Sequence, residues 1–461
     1  MIPGSAPRRP WALLPESGTA HLQRLRKFAL LDTNVVVLSV ILTNVLRAVS
    51  SMILTRLLVP EVFGIAGIIA SIHFTVSLAS DLGFQAFVVR HNDGDEPRFL
   101  NTVWTVSVIR SALLALVLIT LASPIAQVFG KPELAPLVAV SGLIFILEGV
   151  ASLSLLTALR RRLILKLSIL ELIVLVFQIT VSTVLAFLWG SYWAILGALL
   201  ASGGLKSLLS YTMFEGSLQK PAWDRNYLRD LWSFARFVTG SSIIFLMISQ
   251  VDKLVLARVM PLEQFGFYML GTNLASAPFA FASAYASRVL YPTYAQLWRE
   301  GRTDLRERFY AKRMLPSVLY SFASGGIIGA APLIIAILYD ERYAAAAVYL
   351  QVLGIASLLA LASNAANEAL TATGRINATL QASIIKLVWL AGAGTVGYLE
   401  LGSFGLVIAV GLIEVPALLL KWVRMHRAGL LDLSREMLFL MPGVIGMCCG
   451  YGGSNLAKPL F

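Results

Sequence analysis

The sequence has few charged residues: Asp, Glu, Lys and Arg make up 13% of its 461 residues, against about 25% in an ordinary soluble domain. Hydrophobic residues make up 57%, and the mean hydropathy is +0.77. A soluble fold cannot bury so much apolar surface and would have too few charges for its exterior. The composition excludes a soluble globular domain and predicts an integral membrane protein.

Cysteine is scarce as well. Cys448 and Cys449 are the only two, and they are adjacent near the end of the chain. They cannot form a disulfide framework or a metal site, so we interpret them as small apolar helix residues and expect neither a metal nor a cofactor. The sequence also lacks a nucleotide-binding P-loop, which makes direct use of ATP unexpected.

What the sequence does contain is long apolar runs, each long enough to cross a hydrocarbon core of about 30 Å. They are too long and too uniformly apolar for barrel strands, which alternate, so we predict helices. Twelve runs are clear and a thirteenth is shorter. They cover 34–55, 64–89, 101–126, 133–159, 163–189, 191–213, 236–257, 265–291, 313–339, 343–370, 379–399, 403–423 and 437–456.

Basic residues are unevenly distributed among the connections between these runs. If the N-terminus is cytoplasmic, the cytoplasmic connections hold 26 Lys and Arg, and the opposite connections hold Arg56, Lys131, Arg258, Arg342 and Lys458. This bias follows the positive-inside rule and predicts a multi-pass protein of a bacterial inner membrane with a cytoplasmic N-terminus. It also accounts for the net charge of +12 without nucleic acid as a partner.

A short pattern follows both the first and the seventh run. Its shared residues, at an offset of 202, are Arg56, Glu61, Phe63 and Gly64 in one copy and Arg258, Glu263, Phe265 and Gly266 in the other. Six runs separate the copies, an even number, so the pattern predicts two parallel repeats. A proline and a carboxylate suit the first turn of a helix, so we assign the pattern a structural role.

The predicted fold class is therefore all-α integral membrane, with two parallel six-helix lobes around a central cavity and one extra C-terminal helix. The short thirteenth run leaves a truncation, a re-entrant end or a miscounted span open. The predicted domains are a cytosolic tail 1–33, an N-lobe 34–213, a cytosolic linker 214–235, a C-lobe 236–424 and a C-terminal extension 425–461.

Short motifs in both halves carry a family resemblance. In the first half they lie at 54–58, 61–64, 81–84 and 88–90, and in the second half at 251–258, 265–268 and 288–292. Together, these motifs resemble the polysaccharide transporter family of the multidrug/oligosaccharidyl-lipid/polysaccharide exporter superfamily. The resemblance extends over about 400 residues in organisation.

The resemblance implies a transporter and not an enzyme. Its substrate would be an oligosaccharide on polyprenyl pyrophosphate, flipped from the cytoplasmic to the periplasmic leaflet for exopolysaccharide or O-antigen assembly. We expect alternating access with ion coupling. The expected partners are this substrate, the lipid bilayer, a polysaccharide polymerase and the chain-length machinery.

Basic residues inside the runs are candidates for binding such a substrate, because a pyrophosphate cannot cross hydrocarbon without fixed cations in a wet cavity. We predict substrate-binding roles for Arg47, Arg110, Lys206, Arg288 and Lys386. Arg47 lies deepest and either lines a cavity or pairs with a carboxylate. Arg110, Lys206 and Lys386 could instead extend to the cytoplasmic interface, and Arg288 could be an interface anchor.

Acidic residues inside the runs are candidates for ion coupling. Glu148 and Glu414 lie near the middle of their runs, where a carboxylate is protonated, paired or bound to an ion. Each could couple protons or sodium, and the alternative is an interhelical ion pair. Asp81 and Asp252 are further candidates, although both resemble structural contacts, Asp252 beside Lys253.

Three other functions compete with a flippase. A cation-coupled multidrug or toxin antiporter of the same superfamily would place carboxylates in the cavity in preference to cations. An O-antigen polymerase or ligase needs a large external loop, whereas the outer connections here are short. A major facilitator would carry a Gly-Asp-Arg-rich turn between the second and third runs, where residues 90–96 read Arg-His-Asn-Asp-Gly-Asp-Glu.

Overall fold

The computed structural model describes residues 38–216, 218–300 and 304–457. Within these ranges the chain is helical apart from short connections, and it has no β-strand. The predicted all-α membrane fold is confirmed. The predicted cytosolic tail 1–33 lies outside the described residues.

The first half forms eight helices in the described chain. Two of its connections begin with a glycine in the left-handed conformation that commonly ends helices: Gly130 has φ 66° and Gly190 has φ 57°. The helices are α1 (Leu38–Leu57), α2 (Pro60–Ala79), α3 (Phe84–Arg90), α4 (Pro97–Phe129), α5 (Leu134–Val150), α6 (Ser154–Arg160), α7 (Ile164–Trp189) and α8 (Trp193–Thr212).

The second half continues with longer helices, of which one ends in a π-helical turn at Ala286–Leu290. A 3-10 turn at Glu341–Tyr343 precedes another. The helices are α9 (Arg225–Val259), α10 (Leu262–Tyr285), α11 (Tyr291–Arg299), α12 (Leu305–Gly329), α13 (Ala331–Leu338), α14 (Ala346–Ala372), α15 (Asn377–Leu401), α16 (Ser403–Gly411), α17 (Glu414–Arg427) and α18 (Leu433–Ala457).

Ten helices in the described chain, counting Ser403–Arg427 as one, are long and apolar enough to cross a membrane. Two bent pairs raise the number to twelve if each pair is one span: α5 with α6, bent by 55°, and α12 with α13, bent by 68°. These correspond to the predicted fourth and ninth runs. The predicted runs therefore coincide with helices, and the breaks within them were not predicted.

The predicted eighth run is not among these ten to twelve spans. It contains α10, a helix of 24 residues that carries Gln264, Thr272 and Asn273 among its apolar residues. Helix α10 packs between α2 and α14, and its Tyr268 is fully buried. A helix inside a bundle faces protein more than lipid, so its composition can be more polar.

The thirteenth run, predicted with least certainty, forms the membrane-length helix α18. It packs closely on α12, because a methyl group at Gly325 or Gly446 would overlap the backbone of the opposite helix. A buried ion pair between Arg313 and Glu436 joins the same two helices, and Tyr310 donates a hydrogen bond to Glu436 over 2.9 Å. The close glycine contacts and the buried ion pair together hold α18 against α12 of the C-lobe.

The predicted linker 214–235 is partly helical. Asp224 caps α9 by accepting a hydrogen bond from the backbone N–H of Asn226 at 2.9 Å, which is the common way to begin a helix. The stretch from Arg225 onward therefore belongs to α9. The division into domains otherwise stays a prediction.

Candidate functional site

The repeated sequence pattern forms a crossing between the two lobes. Helix α2 begins at the first copy, α10 begins at the second, and the two helices pack against each other. A methyl group at Gly64 would overlap the carbonyl oxygen of Leu262, and one at Gly266 would overlap the carbonyl oxygen of Pro60. The glycine of each copy thus allows the backbone of one lobe to touch the backbone of the other.

Two cations reach across the lobes beside this crossing. Lys131, which follows α4, donates hydrogen bonds to the carbonyls of Ala257 and Met260 at the end of α9, the latter at 3.2 Å. Arg342, which follows α13, donates to the carbonyls of Thr55 and Arg56 at the end of α1, both at 3.3 Å. The last carbonyls of a helix lack partners within the helix and attract cations.

These contacts are related by the repeat. Helices α1 and α9 are the first and seventh runs, while α4 and the α12–α13 pair are the third and ninth. We call the set Gly64, Gly266, Lys131, Arg342 and Tyr343 the outer seal. Tyr343 is fully buried and donates a hydrogen bond to the carbonyl of Leu58 at 2.7 Å. The outer seal closes the end of the bundle that charge distribution predicts to be periplasmic.

Burial and neighbouring groups shift the pKa values of Lys131 in the outer seal and of Asp340 beside it. Burial lowers the pKa of the Lys131 amine, and the nearby Glu133 carboxylate partly opposes that shift. The hydrogen bond from Arg342 to Asp340, at 3.0 Å, lowers the pKa of the Asp340 carboxyl. Asp340 therefore stays ionised and holds the guanidinium in place.

The opposite end of the bundle has a different lobe contact, which we call the inner bridge. It joins the start of α9 to the connection between α3 and α4 and to the first turn of α4, through pairs in which one partner is exposed and the other is partly buried. The side-chain pairs are Arg98 with Asp224 at 3.1 Å, Tyr227 with Glu96 at 2.9 Å and His91 with Asp230 at 3.8 Å.

A cavity of about 630 Å³ is lined by residues of α3 and of the break between α5 and α6. Asp81, Ser107, Glu148 and Ser152 supply polar groups to its lining, and Val238 of α9 supplies an apolar one. Interrupted helices with freed backbone groups commonly line substrate and ion sites in transporters. The break therefore places the predicted candidates Asp81 and Glu148 on one cavity.

Arg110 lies next to this cavity but is engaged by protein. Its guanidinium donates to the carbonyls of Ser80 at 2.8 Å and Ser77 at 2.9 Å, and to the Ser80 hydroxyl at 2.8 Å. It thus caps the end of α2. The charges that act on Glu148 are those of Lys206 and Arg110, so the structure brings these three candidates together.

Asp81 connects the lobes. Its Oδ1 accepts from the backbone N–H of Gly83 at 2.8 Å, and its Oδ2 accepts from Ser242 of α9 at 3.1 Å. Its backbone carbonyl accepts from Thr239 at 2.6 Å. These three bonds fix the turn after α2 against α9, as expected for a structural contact.

In the C-lobe, four residues form what we call the lysine cluster: Ser363 of α14, Lys386 of α15, and Glu414 and Lys421 of α17. Lys386 pairs with Glu414. Ser363 donates to Glu414 Oε2 at 2.7 Å and accepts from Lys421 Nζ at 2.9 Å. Glu414 is 3% exposed and Lys421 is 5% exposed, so the cluster is almost entirely inside the protein.

Asp252 is buried on α9 beside a cavity of about 520 Å³ that α9 and α15 enclose. One carboxylate oxygen accepts a hydrogen bond from Tyr268. The other, Oδ1, is buried and has no hydrogen-bond partner within the described residues. Buried carboxylate oxygens are normally satisfied, so Asp252 stays a candidate for binding a proton or an ion.

The remaining predicted residues, Arg47 and Arg288, stand apart. Arg47 is exposed on α1, and Arg288 is exposed on the π-helical turn after α10. Neither forms an ion pair in the part of the chain that the structure describes. No group of three or more His, Cys, Asp or Glu there could hold a metal ion.

Lys421, Lys131 and Arg342 were not predicted as site residues. Lys421 lies at the end of the predicted run 403–423, and α17 continues beyond that run to Arg427. A signal was present, because Glu414 and Lys421 are seven residues apart and therefore share a helix face. Nothing in the sequence indicated that Lys131 and Arg342 would reach the opposite lobe.

The chain matches a protein family over most of its length. The family is described as "Polysaccharide biosynthesis protein", and its match covers residues 53–424. Lipopolysaccharide biosynthesis protein WzxC of Escherichia coli (strain K12) is 22% identical over 382 residues, which is 82% of this chain and 76% of that protein. Teichuronic acid biosynthesis protein TuaB of Bacillus subtilis (strain 168) is 23% identical, over 64% of this chain and 61% of that one.

Solved structures share the fold. The structure described as lipid II flippase MurJ in an inward closed conformation has a TM-score of 0.70 at 11% identity, over 88% of this chain and 90% of that one. A multidrug resistance transporter of the MATE family has a TM-score of 0.63 at 14% identity, over 84% and 95% respectively. At these identities the likeness concerns the fold alone.

Proposed function

We propose, on the premise that this chain belongs to the polysaccharide biosynthesis protein family, that it flips a polyprenyl-pyrophosphate-linked oligosaccharide across the bacterial inner membrane. The chain is a multi-pass membrane protein whose relatives include proteins of lipopolysaccharide and teichuronic acid biosynthesis. One observation carries the proposal furthest: contacts between the lobes close one end of the bundle, and a cavity of about 630 Å³ lies at the break between α5 and α6, with Asp81 and Glu148 in its lining.

Alternating access fits this arrangement. A transporter exposes its site to one side at a time, so one end must close while the other is open. The outer seal consists of contacts between lobes, and such contacts can separate as rigid bodies move. In the proposed cycle the substrate enters at the inner end, the outer seal opens, and the oligosaccharide leaves toward the periplasm.

Three of the five predicted cations are proposed as contacts for the anionic substrate. Arg110 already has three acceptors in the protein, and Lys386 has Glu414. Arg47, Lys206 and Arg288 are exposed, so each can offer its charge to a pyrophosphate or an acidic sugar. We also propose ion coupling through one of the carboxylates within the spans: Glu148, Asp252 or Glu414.

Reconstitution of the purified chain in liposomes tests this function directly. The probe is a fluorescent polyprenyl-pyrophosphate N-acetylglucosamine, and dithionite added outside measures the fraction in the outer leaflet. We expect the protein to move the probe between leaflets, and Arg47→Ala to slow that movement, with Arg225→Ala in the exposed first turn of α9 as the control.

Two results would overturn the proposal. Protein-containing vesicles that scramble the probe no faster than empty ones would remove the flippase activity. Transport of a cationic dye without any movement of the pyrophosphate probe would instead support a multidrug antiporter.

A further inference from the structure

The lysine cluster contains one more cation than its contacts neutralise. Glu414 is paired with Lys386. Among the described residues, Lys421 donates hydrogen bonds only to Ser363, through Oγ at 2.9 Å and the backbone carbonyl at 3.2 Å. An ammonium group placed in a protein interior is costly unless a carboxylate contacts it. Lys421 is therefore a buried cation that no carboxylate contacts among the described residues.

Other titratable groups near Lys421 do not pair with it directly. Glu368 of α14 is close enough for its charge to act on Lys421, and it is partly buried. Tyr320 of α12 faces Glu414, but its hydroxyl is used by the carbonyls of Ser357 and Pro278. Lys386 repels Lys421 and is the member that reaches the surface, with 17% of its side chain exposed.

Ser363 connects the two ends of the cluster in the geometry of a proton relay. Its hydroxyl accepts from Lys421 Nζ and donates to Glu414 Oε2. When the ammonium proton passes to Ser363 Oγ, the hydroxyl proton passes to Glu414, which leaves a neutral amine, an intact serine and a protonated carboxyl. The net charge of the cluster is unchanged by this step, because one cation and one anion are neutralised together.

We propose that the lysine cluster is a proton-exchange site that binds and releases one proton per transport cycle. The proton belongs to Lys421 and Glu414 as a pair, since strongly interacting groups titrate together. It enters and leaves where Lys386 reaches the surface. This inference rests on the proposed flippase function and names the proton as its coupling ion.

A matched pair of substitutions separates a proton carrier from a structural cation. Lys421→Arg keeps a positive charge, but a guanidinium does not release its proton. The control is Arg313→Lys in the other buried ion pair of the C-lobe, where the cation contacts Glu436 directly and no serine relay intervenes. If both cations are structural, the two substitutions should affect transport similarly. If Lys421 exchanges a proton, only Lys421→Arg should make transport independent of the pH gradient.

The measurement is the leaflet distribution of the same pyrophosphate probe at steady state under an imposed pH gradient. One proton per cycle corresponds to about a tenfold shift in that distribution for a gradient of one pH unit, with the opposite sign when the gradient is reversed. We expect this shift in the wild type and in Arg313→Lys. In Lys421→Arg and Glu414→Gln the probe should still move, with no response to the gradient.

A wild-type-sized shift in Lys421→Arg would overturn the inference while leaving the flippase intact. Failure of the wild type to move the probe would instead count against the proposed function. Infrared difference spectra of the protein between two pH values provide a readout without substrate. A carboxyl band that vanishes in Glu414→Gln and is altered in Lys421→Arg supports the exchange. Identical spectra for the wild type, Glu414→Gln and Lys421→Arg contradict it.

Discussion

The two ends of the bundle join the lobes by different chemistry. The outer seal uses backbone: glycines that touch carbonyl groups, and cations that cap the ends of helices from the opposite lobe. The inner bridge uses side-chain pairs, such as Arg98 with Asp224, in which the arginine is 71% exposed. Exposed pairs contribute little because water and salt screen them.

Because the contacts of the outer seal are the stronger ones, we expect the outer seal to stabilise the closed conformation more than the inner bridge does. The outer seal is duplicated by the repeat, so two equivalent sets of contacts must separate together. The inner bridge is built from one side only, by the first turns of α9. We therefore expect that changes at the outer seal shift the conformational equilibrium strongly and that changes at the inner bridge shift it weakly.

Glycine substitution in the outer seal should have the largest effect. In Gly64→Ala with Gly266→Ala, each new methyl group overlaps a carbonyl of the other lobe, and overpacking costs about 1–3 kcal/mol at each position. Spin labels at Trp189→Cys and Leu401→Cys, both exposed, in a Cys448→Ser/Cys449→Ser background report the outer separation. We expect the population with a long distance to dominate in the double variant.

Gly392→Ala is the control for this experiment, because nothing lies within 4 Å of the added methyl group. If Gly392→Ala opened the outer end as far as the seal variants do, overlap across the lobes would not be the cause.

Removal of a helix-capping cation should have an intermediate effect. Lys131→Met deletes hydrogen bonds from an ammonium to two carbonyls, and hydrogen bonds to charged groups contribute about 1.5–3 kcal/mol. The open population measured with the same labels should rise about tenfold or more. Arg98→Ala at the inner bridge is the matched comparison. It should change the open population by about fivefold or less, because an exposed ion pair contributes about 0.2–1 kcal/mol.

An equal response to the two substitutions would contradict the contrast between the ends. It would mean that the exposed pairs of the inner bridge stabilise the closed conformation as much as the capped helix ends do.

The smallest expected effect is a pH dependence of the outer seal. Burial lowers the pKa of Lys131 in the closed conformation, whereas opening returns the amine to water and to an ordinary value near about 10.4. The closed conformation therefore binds fewer protons in the window below that value, and rising pH stabilises it. Distances between the same spin labels should shorten with pH in the wild type. A similar trend in Lys131→Met would assign the effect to another group.

Much of the fold could be predicted from apolar runs alone. Each of the thirteen runs contains a helix among the described residues, although the second run, 64–89, is divided between α2 and α3. The offset between Gly64 and Gly266 indicated parallel halves. The breaks within α5–α6 and α12–α13 could not be predicted, because the apolar composition of a run is the same for a straight helix and for a bent one. The membrane-length α18 was the least certain run, yet its glycines match those of α12 across a contact that only the fold reveals.

The candidate site was predicted less completely. Charges within runs identified Glu414 and Lys386 as functional candidates in separate roles, and the structure makes them one ion pair. Lys421 was missed because the end of an apolar run was taken as the end of the helix. Arg110 was recognised as a buried cation, but its acceptors are backbone carbonyls of α2, which carry no sequence signal.

The sequence by itself determined that this chain is a membrane-embedded helix bundle of two related halves, because length and apolarity of a segment decide whether it can span hydrocarbon. It also determined that few charges lie inside, since each one is costly there. The tertiary structure alone decided which charges are paired and which are free. That depends on helices brought together from distant parts of the chain, as Lys131 and α9 or Ser363 and Lys421 are, and local sequence does not record such distances.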